Sequence, residues 1–208
     1  GSGKVYLVRA GLFDDVDTVL HWHPADRNSA NASSTLANKS ARFKFRGVSA
    51  HAAAAPHRAR SALDAVEAMN YMVNLLREHV PQETRIHYIV SHGGEAPNVV
   101  PDFAESYYYV RHPDAATLGQ LWERVVNIAE AAAKGTETQL SVEVMHGNHS
   151  VLPNEELAQL MHSNLSRVGG VHYDAVEAVF AEKLSESLHG NYIGMEREIM
   201  PYEVRQGM

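Results

Sequence analysis

Gly47-Val48-Ser49-Ala50-His51-Ala52-Ala53-Ala54-Ala55-Pro56 separates a strand from a helix and sets one imidazole among side chains too small to cover it. Upstream, Phe43 and Phe45 fall on one face and Arg42, Lys44 and Arg46 on the other, an alternation that predicts a strand over 41–46. Downstream, Ala62, Leu63, Val66, Met69, Val73 and Leu76 recur at three- and four-residue spacing and predict a helix over 59–79. A histidine in a surface loop is ordinary by itself. What His51 means depends on the elements around it.

The same pattern continues outward. Ile86, Tyr88 and Val90 alternate through a second strand, Thr84 to Ser91, which runs into the loop His92-Gly93-Gly94-Glu95-Ala96-Pro97-Asn98. A third strand, Phe103 to Val110, puts Tyr107 and Tyr109 on one face and Tyr108 and Val110 on the other. Pro113-Asp114 opens a helix with Leu118, Leu121, Val125, Ile128, Ala129 and Ala132 on one stripe, ending near Gly135. Leu140, Val142 and Val144 alternate as a fourth strand. The order β-α-β-β-α-β predicts an α/β (α+β) domain of the split, ferredoxin-like type. Two helices with one apolar stripe each cover one sheet face and leave the other open, which invites a partner subunit.

The flanks read differently. Residues 4–13 suggest a short helix ending near Gly11, and Val19, Leu20 and Trp22 a brief strand stopped by Pro24, with His21 and His23 on opposite faces. Residues 25–38 are rich in Asn, Ser and Ala and read as a crossing between domains. Asn154 caps a helix broken at Gly169-Gly170, and Asp174 to Leu188 repeats the helical pattern. Neither helix has a sheet of its own in the sequence, and the tail from Gly190 to Met208 shows no period. The expected domains are 1–37, 38–147 and 148–208.

Composition excludes several classes. With 208 residues, 45% hydrophobic and 21% charged, the chain has the make-up of a globular protein. A net charge of -7 argues against a nucleic acid as the main partner, since that would need a basic face, and no apolar run reaches the ~20 residues of a membrane span. Cysteine is absent and no signal peptide opens the chain, so a reducing, cytoplasmic setting is expected.

Taken together the motifs resemble a known family. Strand, Gly-x-x-Ala-His-x-x-x-x-Pro, helix, Gly94-Glu95-Ala96-Pro97-Asn98-Val99-Val100-Pro101 and a strand ending in Arg111 resemble the lid or dimerisation domain of the dinuclear-zinc aminoacylases and carboxypeptidases. Leu20, Trp22, His23 and Pro24, with Ser61-Ala62-Leu63-Asp64-Ala65-Val66, resemble the aminobenzoyl-glutamate utilisation protein B subgroup, in register from about residue 3 to about residue 189. The resemblance implies a homodimeric metallo-amidohydrolase that cleaves the amide of an N-acyl or aminobenzoyl-glutamate-like small molecule. It implies two divalent metal ions, zinc or else manganese, in the full-length protein. His23 matches a metal ligand. His51 matches a lid histidine that stabilises the tetrahedral oxyanion in the partner subunit's site. Asn98 matches a residue that binds substrate or positions that histidine, and Arg111 one that grips the substrate carboxylate. Each role suits its side chain: imidazole ligates zinc, its N–H can donate to an oxyanion, and guanidinium pairs with carboxylate.

The departures matter as much. Only twenty-two residues precede His23, which leaves no room for the family's His-x-Asp, bridging acid and Glu-Glu pair. Glu155-Glu156 falls at a helix start and reads as a capping feature, and His189 matches no motif for the last ligand. The expectation is a lid plus adjoining catalytic-domain pieces that hold no metal and hydrolyse nothing alone. Two rivals stand beside it. One is a non-catalytic ferredoxin-like module that dimerises, which requires the flanks to complete a fold around it; the fragment reading predicts bare apolar faces there, or disorder. The other is a metal-binding protein using His21, His23 and further histidines, for which the spacing gives no convergent set.

Overall fold

A computed structural model describes residues 2–25, 27–188 and 198–203. Its contacts divide the chain into two compact units, one of Gly1–Asp14 with Thr35–Val151, the other of Asp15–Ser34 with Leu152–Met208.

The first unit holds α1 (Gly3–Arg9) and then the predicted β-α-β-β-α-β series: β1 (Ala37–Arg46), α2 (Ala62–Leu76), β2 (Arg85–His92), β3 (Phe103–His112), α3 (Ala115–Gly135) and β4 (Gln139–Asn148). The sheet order is β2-β3-β1-β4, and every neighbouring pair is antiparallel. β1 and β2 therefore run the same way with β3 between them, the split βαβ arrangement. α2 and α3 pack on each other and on one face of this sheet.

Alternation decides which face is covered. Ala41, Phe43, Phe45, Ala104, Tyr108 and Val110 are buried against Val66, Met69, Val73, Leu121, Trp122 and Val125. Phe43 meets the Tyr108 ring edge-on at 5.5 Å, and Trp122 lies 5.9 Å away, so the core is centred on the two inner strands. One polar group is built into it. Asn70 Oδ1 accepts hydrogen bonds from the Tyr108 hydroxyl and from Ser106 Oγ (3.2 Å), which satisfies all three.

The boundaries have local causes. β1 begins four residues before the predicted strand because Asn38 and Ser40 carry the pairing on without an apolar signal. Ser61 caps α2 by accepting from Asp64 N at 3.1 Å; residues 56–58 form a separate 3-10 turn and Arg77–His79 another, so α2 is shorter than the predicted 59–79. Asp114 caps α3 through Thr117 N at 2.7 Å.

The second unit contains α4 (Glu155–Val168) and α5 (Ala175–Glu186). Asn154 caps the first through Leu157 N, and Gly169 ends it at φ 89°, the left-handed region that favours glycine. A capping box between Asp174 and Glu177 opens the second. Neither helix buries a residue among the described part of the chain, and Leu160, Val176, Phe180 and Leu184 are exposed. The expected strand at Val19–Trp22 does not form. A strand needs a ladder for its backbone groups, the described residues offer this segment none, and Trp22 is 82% exposed. His189 and most of the tail lie outside the described residues. No helix among the described residues is long and apolar enough to cross a membrane.

Candidate functional site

The His51 loop leaves the end of β1 and is clipped on both sides. On one side Val48 N donates to Arg60 O at 2.8 Å and Arg60 N to Val48 O at 2.9 Å. These strands of backbone meet at Gly47, where a Cβ would stand 1.8 Å from the Arg60 carbonyl oxygen, so only glycine fits. On the other side Ala52 N donates to Asn98 O, Val100 N to Ala50 O and Ser49 Oγ to Val100 O, all at 3.0 Å. Gly94, at φ 109°, turns the β2–β3 loop so that Asn98 arrives beside His51.

The imidazole is exposed, yet its hydrogen position is determined. Ala53 N and Ala54 N both donate to His51 Nδ1, each at 3.2 Å. Nδ1 is therefore the acceptor, and the ring hydrogen sits on Nε2, pointing away from the loop. His51 is a donor held out on a braced turn.

His23, in the second unit, has the opposite arrangement. Its Nδ1 lies 3.0 Å from Pro24 O, a carbonyl that can only accept, so Nδ1 carries the hydrogen and Nε2 presents a lone pair. A backbone carbonyl behind one ring nitrogen is the usual way to orient a metal-ligating histidine. The side chain suits one ligand position. Among the described residues no group of three His, Cys, Asp or Glu could hold a metal ion, so the residues present do not make the whole site.

The four sequence-predicted residues are only partly brought together. His51 and Asn98 are adjacent. Arg111 is not with them, because it stands at the far end of β3, opposite Asn38 in β1 and Arg85 in β2, with its guanidinium 5.4 Å from the Tyr109 ring. Two features escape the sequence pattern. Gly47 gives no hint that residues 60–62 will press on it. His146 shares parity with Val142 and Val144, which predicts the helix-covered face. A bulge at Met145, where Ser40 pairs with His146 but Ala41 with Val144, turns it to the open face instead.

Residues 35–137 match the family described as peptidase dimerisation domain, and over that stretch the chain belongs to it. Among curated proteins the chain is 41% identical over 192 residues to a p-aminobenzoyl-glutamate hydrolase component of Escherichia coli K12, covering 92% of the chain and 40% of that protein. It is 30% identical over 203 residues to the Xaa-Arg dipeptidase of Mus musculus, covering 97% of the chain and 47% of that protein. The chain thus spans less than half the length of these hydrolases. An aminobenzoyl-glutamate utilization protein from Klebsiella pneumoniae shares the fold, with a TM-score of 0.59 at 23% identity over 77% of the chain and 42% of that structure.

Proposed function

We propose that this chain is the lid and dimerisation region, with adjoining catalytic-domain pieces at 1–37 and 148–208, of a metal-dependent amidohydrolase acting on an aminobenzoyl-glutamate-like or other N-acyl amino acid. The observation that carries the reading is the pair of backbone N–H groups on His51 Nδ1. They fix the tautomer whose Nε2–H can donate to the oxygen that becomes negative when an amide is attacked. Nothing in its own unit covers the ring, which suits a group offered to the active site of a second subunit. Asn98 stands beside it to bind substrate, Arg111 grips the substrate carboxylate, and His23 serves as one metal ligand through Nε2. The bound metal pair, zinc by preference, would polarise the scissile carbonyl and activate water; its other ligands lie outside the described residues.

The bare apolar sides of α4 and α5 support their belonging to a larger α/β body, and they disfavour the free-standing module. The partner is a second copy. β2 is an edge strand, and Ile89, Val90, Tyr71 and Leu75 expose apolar surface on β2 and the neighbouring α2, against Val144 and Met145 on the β4 edge. Sedimentation should therefore show a species heavier than the 22.9 kDa monomer, and Ile89→Lys should dissociate it. The functional test is His51→Ala in the enzyme with its catalytic domain, assayed on aminobenzoyl-glutamate. A kcat loss of about 100-fold or more with KM little changed is expected; a kcat within a few-fold of wild type rejects the donor role.

A further inference from the structure

Among the described residues one non-glycine stands in the left-handed region, Glu137 at φ 53°. It lies in the turn that ends α3. Thr138 N donates to Ala133 O at 2.9 Å and Glu137 N to Lys134 O at 3.4 Å, the two hydrogen bonds of a Schellman cap. The left-handed position of that cap is most often glycine, because a Cβ there is crowded. Glutamate adds a second cost, since the carbonyl end of a helix repels negative charge. Two local rules are broken at one position, and chains break such rules most where the side chain is needed for something else.

The Glu137 carboxylate reaches back across the fold to Arg60, whose Nε donates to Glu137 Oε2 at 2.7 Å. Arg60 Nη1 donates to Ala59 O, also at 2.7 Å, so the guanidinium lies over its own backbone and is pinned from the end of α3. That end is a fixed point, because Ala129, Ala132 and Ala133 of α3 are buried in the core. The Arg60 backbone in turn forms the clip with Val48, three residues before His51, and its carbonyl presses on Gly47. Two residues further on, Ala62 N donates at 2.9 Å to Pro101 O in the loop that carries Asn98. Stability does not explain the ion pair. With 38% of the Arg60 side chain and 69% of the Glu137 side chain exposed, it adds little to folding. Its effect is to restrain where residues 59–60 lie, and with them the base of the His51 loop.

We propose that Glu137 is a positioning residue for His51: its carboxylate anchors Arg60 to the end of α3, Arg60 holds Val48, and the loop base so fixed keeps the His51 Nε2–H aimed outward. This role rests on the reading of His51 as an oxyanion donor. It adds a residue that no motif marks, 77 positions beyond the arginine it holds.

Glu137→Gly separates positioning from stability, because it removes the carboxylate and both local costs together. In this chain the urea midpoint should stay at or above wild type. Amide exchange at Val48 and Arg60 should nevertheless speed up by about fivefold, the most that an exposed ion pair commands. The two His51 ring 15N shifts at alkaline pH, widely split for a single tautomer, should move toward each other as Nδ1 loses its donors part of the time. Glu137→Gln, which keeps an acceptor in place, should restore most of both. In the enzyme with its catalytic domain, Glu137→Gly should lower kcat about three- to fivefold with KM unchanged, and should add nothing to His51→Ala. Unchanged exchange and ring shifts overturn the proposal. So does a urea midpoint that falls, which would make Glu137 an ordinary stabilising residue. If the loop loosens while kcat stays at wild type, His51→Ala decides. An impaired His51→Ala enzyme means that motion at the loop base does not reach the ring, and the Glu137 role fails; an unimpaired one means that the donor reading of His51 fails, and the anchoring of the loop stands.

Discussion

In the hydrolase proposed above, His51→Ala and Arg111→Ala dimers should each be almost inactive, yet mixed dimers of the two should work. The reason is distance. His51 follows the end of β1 that pairs with Phe103, and Arg111 lies eight positions further along β3. At 3.4 Å per residue the separation along the sheet is about 27 Å, too far for one small substrate to touch both. With the roles proposed for His51 and Arg111, a lid would serve two active sites, one with each end. In a mixed dimer, one active site draws both intact groups and the other draws both alanines. Random reassortment makes half of the dimers mixed, so a one-to-one mixture should recover about a quarter of wild-type activity, and the purified mixed dimer about half. Loss of an oxyanion donor costs about 100- to 1,000-fold in kcat, so the recovery would stand well above either parent. The assay is co-expression with two affinity tags, sequential purification, and kcat per dimer on aminobenzoyl-glutamate. A mixed dimer no more active than its parents would place both residues in one active site and refute the argument.

Other perturbations probe the frame that holds the site. Gly47→Ala forces a Cβ onto the Arg60 carbonyl and should cost about 3 kcal/mol in urea denaturation, with the His51 ring resonances shifted as the loop lets go. Asn70→Ala strands the Tyr108 hydroxyl in the core, while Ser106 Oγ keeps the Ile89 carbonyl at 3.1 Å, and should cost about 1–3 kcal/mol, part of which Tyr108→Phe in the same chain should restore. At Glu105 burial works to raise the pKa, but hydrogen bonds from Ser91 and Arg42, with the charges of Arg42 and Lys44, outweigh it and hold the carboxylate below its ordinary 4.5. A depressed folded pKa adds stability above the unfolded value that is lost as pH falls through the folded one. The stability advantage of wild type over Glu105→Gln should thus be full at pH 6 and shrink below pH 4.5; an advantage that grows on acidification would show the sign to be wrong.

Most of the first unit could be read from residue order, because each strand carries one apolar face and each helix one apolar stripe. Phe43 and Phe45 against Arg42 and Lys44 is such a case. Legibility failed where a tertiary neighbour decides. The Val19–Trp22 segment looks like a strand, but alternation records only what a chain would do with a partner to pair with. Parity with Val142 and Val144 would put His146 on the wrong face, since a bulge leaves no mark in hydrophobic pattern and yet inverts the side chains after it. Gly47 reads as an ordinary turn glycine until Arg60 is seen pressed against it. The His51 loop was visible as a motif, whereas the tautomer, which decides what the ring can do, needed the positions of Ala53 N and Ala54 N.

The sheet order also sets a timetable for synthesis. β1 is an inner strand, but its two neighbours are made late: β3 begins at Phe103 and β4 at Gln139, while β1 is complete at Arg46. Until both emerge from the ribosome, the strand that carries the His51 loop is an unpaired edge bearing Phe43 and Phe45, open to pairing with another nascent chain. A chain ending before Gln139 should therefore form aggregates rather than a smaller folded lid, and charges such as Arg42 and Lys44, interleaved with those phenylalanines, are what keep the waiting strand from doing so during normal translation.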